Sequence, residues 1–70
     1  MNKIHINYLN DTIKLLIEEA KQTENDNEFN SGIRLGYYHA ISRILSQSIA
    51  FGFFEELDYE IREFNLESLL

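Results

Sequence analysis

Residues 31–51 read SGIRLGYYHAISRILSQSIAF, and this stretch decides the fold. Its apolar side chains recur at three- and four-residue steps, which is the period of an amphipathic α-helix. They share one broad arc: Ile33, Tyr37, Tyr38, Ala40, Ile41, Ile44, Leu45, Ile49 and Phe51. A helix that packs on one neighbour needs an apolar arc of roughly 100°, and this arc covers nearly half of the circumference. The stretch therefore predicts a helix, about residues 31–51, with at least two packing partners.

An earlier segment, about residues 4–23, has the same period and predicts a first helix. Its main apolar face contains Ile6, Leu9, Ile13, Leu16, Ile17 and Ala20, and a thinner second stripe contains Ile4, Tyr8 and Leu15. The polar residues between the two segments, about 24–30, predict a turn. There is no proline to interrupt either helix. Two neighbouring amphipathic helices with a short connection predict an antiparallel hairpin.

The helix ends carry recognisable signals. Asn27, Asn30 and Ser31 are all candidate N-caps of the second helix, and Gly52 is a candidate for the left-handed residue that ends it. The spacing of Phe54, Leu57, Ile61 and Phe64 favours a short third helix in residues 54–70, although this segment also alternates like an extended tail that wraps the hairpin.

A single domain of 70 residues without cysteine cannot be stabilised by disulfides, and the two apolar faces per helix exceed what one hairpin can bury. The sequence therefore predicts an all-α hairpin with a short third helix or wrapped tail, dimerising into a core like that of a four-helix bundle. The predicted core contains Leu9, Ile13, Leu16, Ala20, Ile33, Tyr37, Ala40, Ile41, Ile44 and Phe51.

Charge narrows the classes of partner. The net charge is −6, which disfavours binding to nucleic acid or to anionic lipid. A nucleic-acid-binding helical dimer would need the basic residues to cluster on one face; these are Lys3, Lys14, Lys21, Arg34 and Arg43. The longest apolar runs are far shorter than the roughly 20 residues of a membrane span. Residues 1–5 lack the basic and apolar regions of a signal peptide. We expect a cytoplasmic protein.

Small residues at a four-residue spacing mark one side of the second helix. Gly32, Gly36 and Ala40 form a smooth strip, which permits close approach of another helix, either the first helix or a second copy. Together with neighbouring side chains they form the predicted helix-packing or dimer surface: Gly32, Gly36, Tyr37, Tyr38, Ala40, Ile41 and Leu45.

Acidic residues dominate residues 51–70, where six carboxylates accompany Arg62 alone. Such a run is usually a solvated face. The alternative is an acidic docking face for a basic partner, as in an inhibitor or immunity-type protein. That face would contain Glu55, Glu56, Asp58 and Glu60.

Residues that could carry chemistry are sparse. His39 and Arg43 are neighbours on the polar strip of the second helix, but no nearby acid or nucleophile completes a catalytic set. The Glu-x-x-His spacing of a carboxylate-bridged metal site does not occur. The sequence therefore predicts no metal, no cofactor and no enzymatic activity.

The run from Gly32 to Ser42, followed by Ala50-Phe51-Gly52, resembles a Gly-Tyr-Tyr to Phe-Gly pattern. It is similar to that of a group of small α-helical hairpin proteins from low-GC Gram-positive bacteria and their mobile elements. The resemblance implies a helical hairpin and assigns no site residues. We expect a non-enzymatic protein-interaction or regulatory module, with the inhibitor and the nucleic-acid-binding dimer as alternatives.

Overall fold

The computed structural model describes residues 2–70, and two long helices form most of it. Helix α1 spans Lys3–Gln22, and helix α2 spans Glu28–Ala50 and returns alongside it. The C-terminal segment (residues 53–70) contains a 3-10 turn at Phe54–Glu56, a short helix α3 at Tyr59–Arg62 and a second 3-10 turn at Leu66–Leu69. Residues 2–70 contain no strand. The predicted all-α hairpin is confirmed, and the predicted third helix is a single turn.

Side-chain caps begin both long helices. The Asn2 carboxamide oxygen accepts the Ile4 amide at 2.8 Å, and the Asn27 oxygen accepts the Asn30 amide at 2.8 Å. Each bond occupies an amide that has no partner inside the helix. Of the three candidate N-caps of α2, the structure thus uses Asn27. Helix α2 therefore begins at Glu28, directly after this candidate cap, and the Glu28 side chain lies at the positive end of the helix dipole.

Gly52 ends α2 as predicted. Its φ of +81° lies in the left-handed region, which side chains other than glycine rarely adopt. The Gly52 amide donates to the Ile49 carbonyl at 3.1 Å, and the Phe53 amide donates to the Ser48 carbonyl at 2.9 Å. This pair of bonds is a Schellman motif, which reverses the chain at the end of a helix. The C-terminal segment can therefore return along the hairpin.

The core lies where the hairpin and the C-terminal segment meet. Its buried apolar residues are Ile13, Ile17, Ala20, Ile41, Leu57, Ile61 and Leu69. Two polar side chains are buried with them, and both are hydrogen-bonded. The Ser48 hydroxyl donates to the Leu45 carbonyl at 2.6 Å, and the Asn10 oxygen accepts the Asp58 amide at 2.9 Å. The second bond attaches the C-terminal segment to α1.

Arg34 joins the turn end of the hairpin to the last residues of the chain. Its guanidinium donates to the carbonyls of Ala20 and Thr23 at the end of α1, at 3.1 and 2.7 Å. It also donates to the carbonyls of Ser68 and Leu69 in the C-terminal segment, at 3.3 and 2.9 Å. A planar guanidinium can serve several carbonyls at once because its N–H groups point outward in a fixed fork.

Two residues predicted for the core are outside it. Ala40 is exposed, and Phe51 is 78% exposed at the end of α2. The C-terminal segment and α1 cover only the part of the α2 arc that includes Ile41 and Leu45. Ile33 is half-buried, and the remaining predicted residues are buried or packed against the core.

Within residues 2–70, neither long helix has the length and apolar character that a membrane span requires.

Candidate interaction surfaces

The small-residue strip of α2 faces away from the rest of the chain. A Cβ atom added to Gly32 or Gly36 would meet no atom within 4 Å, and Ala40 is exposed. The prediction that α1 approaches this strip closely, one of the two alternatives, is therefore wrong. The approach of a second copy stays a prediction.

The other residues of the predicted packing surface lie elsewhere. Ile41 is fully buried in the core, and Tyr37 and Leu45 pack against it. The Tyr37 hydroxyl donates to a Glu19 carboxylate oxygen at 3.1 Å, and this bond raises the pKa of the Tyr37 phenol above its usual value. Tyr38 is half-buried with its ring edge-on to His39, at a centroid distance of 5.5 Å. The structure thus separates the small-residue strip from the side chains that hold α2 to α1.

Several exposed apolar side chains and small residues remain on one side of the hairpin, interrupted by polar residues such as Gln47. We call this side the open face and define it by Ile4, Tyr8 and Leu15 on α1 and by Phe29, Gly36, Ala40 and Phe51 on α2. All five of its large apolar side chains are more than half exposed. Large contiguous apolar patches are uncommon on monomeric proteins and usually mark interaction sites.

Helix geometry places both halves of the open face on the same side. On α2, Arg34 points to the C-terminal segment and Tyr37 to α1. At about 100° per residue, Gly36 lies beyond Tyr37, on the side of α2 away from Arg34. On α1, Lys14 contacts the C-terminal segment, and the stripe that contains Leu15 lies about 100° away. The open face is therefore the side of the hairpin opposite the C-terminal segment.

The predicted acidic docking face is partly neutralised by the chain itself. Lys14 Nζ lies 2.6 Å from an Asp58 carboxylate oxygen and 3.7 Å from one of Glu60. Arg62 lies 3.4 Å from a Glu55 carboxylate oxygen. Glu56 has an interaction of its own. Glu55 and Glu60 are nevertheless exposed, so their carboxylates remain accessible.

The Lys14–Asp58 pair should make stability depend on alkaline pH. The hydrogen bond that the Lys14 ammonium donates to the Asp58 carboxylate raises the pKa of Lys14 above its usual 10.5. A raised lysine pKa contributes stability that is fully present below 10.5 and is lost as the pH rises through the folded-state pKa. We expect Lys14→Gln to have a lower Tm than the wild type near neutral pH. This difference in Tm should disappear as the pH rises above the folded-state pKa of Lys14. Thermal melts across pH test this, with Lys3→Gln as the control; a difference that persists at high pH would contradict it.

A shallow groove runs between α1 and the C-terminal segment, with a volume of about 170 Å³. Its polar walls are Lys14, Glu18, Lys21 and Glu60, and its apolar floor is Ile17, Ile61 and Phe64. Lys21 Nζ lies 5.2 Å from the centre of the Phe64 ring, within the range of a cation–π contact. The groove is small, and its two lysines contact the C-terminal segment, Lys14 through Asp58 and Glu60 and Lys21 through Phe64.

The basic residues do not form one patch. Lys14 is paired with acids of the C-terminal segment, and Arg34 is bound to carbonyls inside the fold. Arg43 is exposed on the outer side of α2. His39 is also exposed there, and within residues 2–70 neither it nor Arg43 forms an ion pair or hydrogen bond.

In residues 2–70, no three His, Cys, Asp or Glu side chains are grouped so that they could hold a metal ion.

No protein-family model matches the chain, and comparison with curated proteins and with solved structures finds no significant similarity.

Proposed function

We propose that this chain is a non-enzymatic protein-interaction or regulatory module that works as a homodimer, in which the open faces of two hairpins form a four-helix bundle. The observation that carries the proposal is the open face itself. It exposes large apolar side chains at both ends, Ile4, Phe29 and Phe51 among them, around a smooth centre at Gly36 and Ala40.

The dimensions of the molecule suit such a dimer. Its extents are 41 × 19 × 16 Å, so a face that spans both helices is comparable in size to the ~800 Å² that each partner buries in specific complexes. Helices pack at interaxial distances of about 8–10 Å, and the smaller distances need small side chains at the contact. Gly36 and Ala40 meet that need because no side chain of this chain occupies the space above Gly36.

The non-enzymatic part of the proposal rests on the polar side chains around His39. Its ring contacts Tyr38, and Arg43 is its neighbour one turn away. Acid–base catalysis needs a second group within hydrogen-bond reach of the same substrate atom. Two carboxylates of the C-terminal segment, Asp58 and Glu55, are instead paired with Lys14 and Arg62.

The two alternative functions have less support. An inhibitor that uses the acidic face would have to compete with the chain's own Lys14 and Arg62 for Asp58 and Glu55. A nucleic-acid-binding dimer would need a continuous basic surface, whereas Lys14 and Arg34 are engaged within the fold.

Sedimentation equilibrium tests the homodimer. We expect a mass of twice 8.3 kDa at micromolar concentration for the wild type. Tyr8→Glu should shift the mass to that of a monomer, because it places a charge in the apolar interface. Tyr59→Glu is the matched control, since Tyr59 is 68% exposed and Tyr8 is 69% exposed, but Tyr59 lies outside the open face. A monomeric wild type, or equal effects of the two variants, would overturn the proposal.

A further inference from the structure

Polar and charged side chains border the open face along its two outer edges. Asp11 and Glu18 lie on α1, about 40–60° outward from the Ile4–Tyr8–Leu15 stripe. His39 and Arg43 lie on α2, outward from Gly36 and Ala40 by a similar angle. All four are exposed, and none forms an ion pair within residues 2–70. Asp11 on one edge of the open face and Arg43 on the other are therefore unpaired charges of opposite sign.

The hairpin fixes the heights of these side chains along the helix axes. Glu19 bonds to Tyr37 across the hairpin, and Ala20 and Thr23 bond to Arg34. A residue of α1 and a residue of α2 that lie at the same height along the helix axes therefore have numbers whose sum is about 56. By this rule Glu18 is level with position 38, next to His39. Asp11 is level with position 45, two residues from Arg43, which is about 3 Å at a rise of 1.5 Å per residue.

Within one chain these groups lie on opposite edges and do not meet. A twofold axis parallel to the helices would bring them together, because it exchanges the two edges and preserves every height. We infer that a second copy docks in this way, with each α1 antiparallel to the partner's α2. Asp11 then pairs with the partner's Arg43, and Glu18 lies at the level of the partner's His39. The inference rests on the proposed homodimer.

The apolar centre of the face fits the same arrangement. Leu15 would lie at the level of the partner's Ala40, where the surface is smooth. Ile4 would lie at the level of the partner's Phe51, so that the two exposed ends cover each other. A side chain that inserts between small residues of the facing helix is the packing mode of helix bundles.

The charges also select against the other twofold arrangement. An axis perpendicular to the helices would place α1 on α1, with Asp11 and Glu18 facing the same residues of the partner. Like charges that face each other across an interface destabilise it, and this repulsion is a common source of specificity. The edge charges therefore favour packing of each α1 against the partner's α2, with the two helices antiparallel.

Charge reversal and repair test the arrangement. The probe is a second copy of the chain, and the readout is the dimer dissociation constant from sedimentation equilibrium at low salt. We expect Asp11→Arg and Arg43→Asp each to raise it roughly ten- to a hundredfold, because each turns two attractive pairs into repulsive ones. The double variant should return to within about threefold of the wild type, since the pairs are restored with reversed sign. Both positions are exposed on helices, and circular dichroism verifies that each variant folds.

Glu67→Arg is the control, because it makes the same charge change at an exposed position of the C-terminal segment. It should leave the constant near the wild-type value. A wild-type dimer whose double variant is not repaired would overturn the arrangement and leave the homodimer standing. A dimer strengthened by Asp11→Arg alone would show the α1-on-α1 packing instead. A wild type that stays monomeric would overturn the homodimer and this inference together.

Discussion

Replacing Ile41 with alanine is expected to lower the free energy of unfolding by about 2–4 kcal/mol. Ile41 is 0% exposed and belongs to the cluster that α1 and the C-terminal segment share. Truncation removes buried methyl groups and leaves a cavity that the surrounding helices can fill only in part. Urea denaturation followed by circular dichroism measures the change. The midpoint should fall with little change in slope, because the same surface is exposed on unfolding.

Ile49→Ala is the matched control. It makes the same chemical change on the same helix, but Ile49 is 63% exposed. We expect its effect to lie within about 0.5 kcal/mol of zero. Neither residue belongs to the open face, so the proposed dimerisation would affect both variants alike. Equal losses for the two variants would contradict the assignment of Ile41 to the core.

The two long helices could be predicted because their signals are local. Apolar side chains at three- and four-residue steps, an asparagine before each helix and Gly52 after α2 are all present within a few residues of the structure they specify. The start of α2 was less determined, because Asn27 and Asn30 both have capping side chains. The structure uses Asn27, and the Asn30 side chain instead donates to Asp26 at 2.8 Å.

The path of the C-terminal segment could not be predicted, because it depends on contacts between distant residues. The bond from the Asp58 amide to Asn10 joins positions 48 residues apart, and the bond from Arg34 to Leu69 joins positions 35 apart. Helical spacing along α2 cannot show which part of its apolar arc this segment covers. Ala40 was therefore predicted for the core, whereas it lies on the uncovered part.

The candidate surfaces were recognised in part from the sequence. The four-residue spacing of Gly32, Gly36 and Ala40 was visible there, as was the exposed second stripe of α1. The pairing of Asp58 with Lys14 was not, because it joins separate elements. The role proposed for Asp11 also depends on the structure, since it rests on the heights of residues across the hairpin. Helical spacing does place Arg34 on the same arc of α2 as Tyr37 and Ile41, the side that faces the rest of the chain.

Arg34→Met is expected to lower the free energy of unfolding by about 2–3 kcal/mol. Methionine fills a similar volume, but it leaves four carbonyl oxygens without the donor that now serves them. Two of these carbonyls end α1 and two belong to the last turn of the chain, so the C-terminal segment should loosen first. Hydrogen exchange should therefore accelerate at the Ser68 and Leu70 amides, which bond within that turn, more than at amides in the middle of α1.

Two lysine variants distinguish the contribution of the several guanidinium N–H groups of Arg34 from the contribution of its positive charge. Arg34→Lys keeps the positive charge but cannot reach carbonyls on both sides at once, so it should lose about half as much stability as Arg34→Met. Arg43→Lys makes the same change on an exposed part of α2, keeps the edge charge of the open face, and should change stability by less than about 0.5 kcal/mol. If Arg34→Lys were as stable as the wild type, the charge alone would suffice. If Arg34→Met changed exchange uniformly across the chain, Arg34 would support the whole core and would not hold the C-terminal segment in particular.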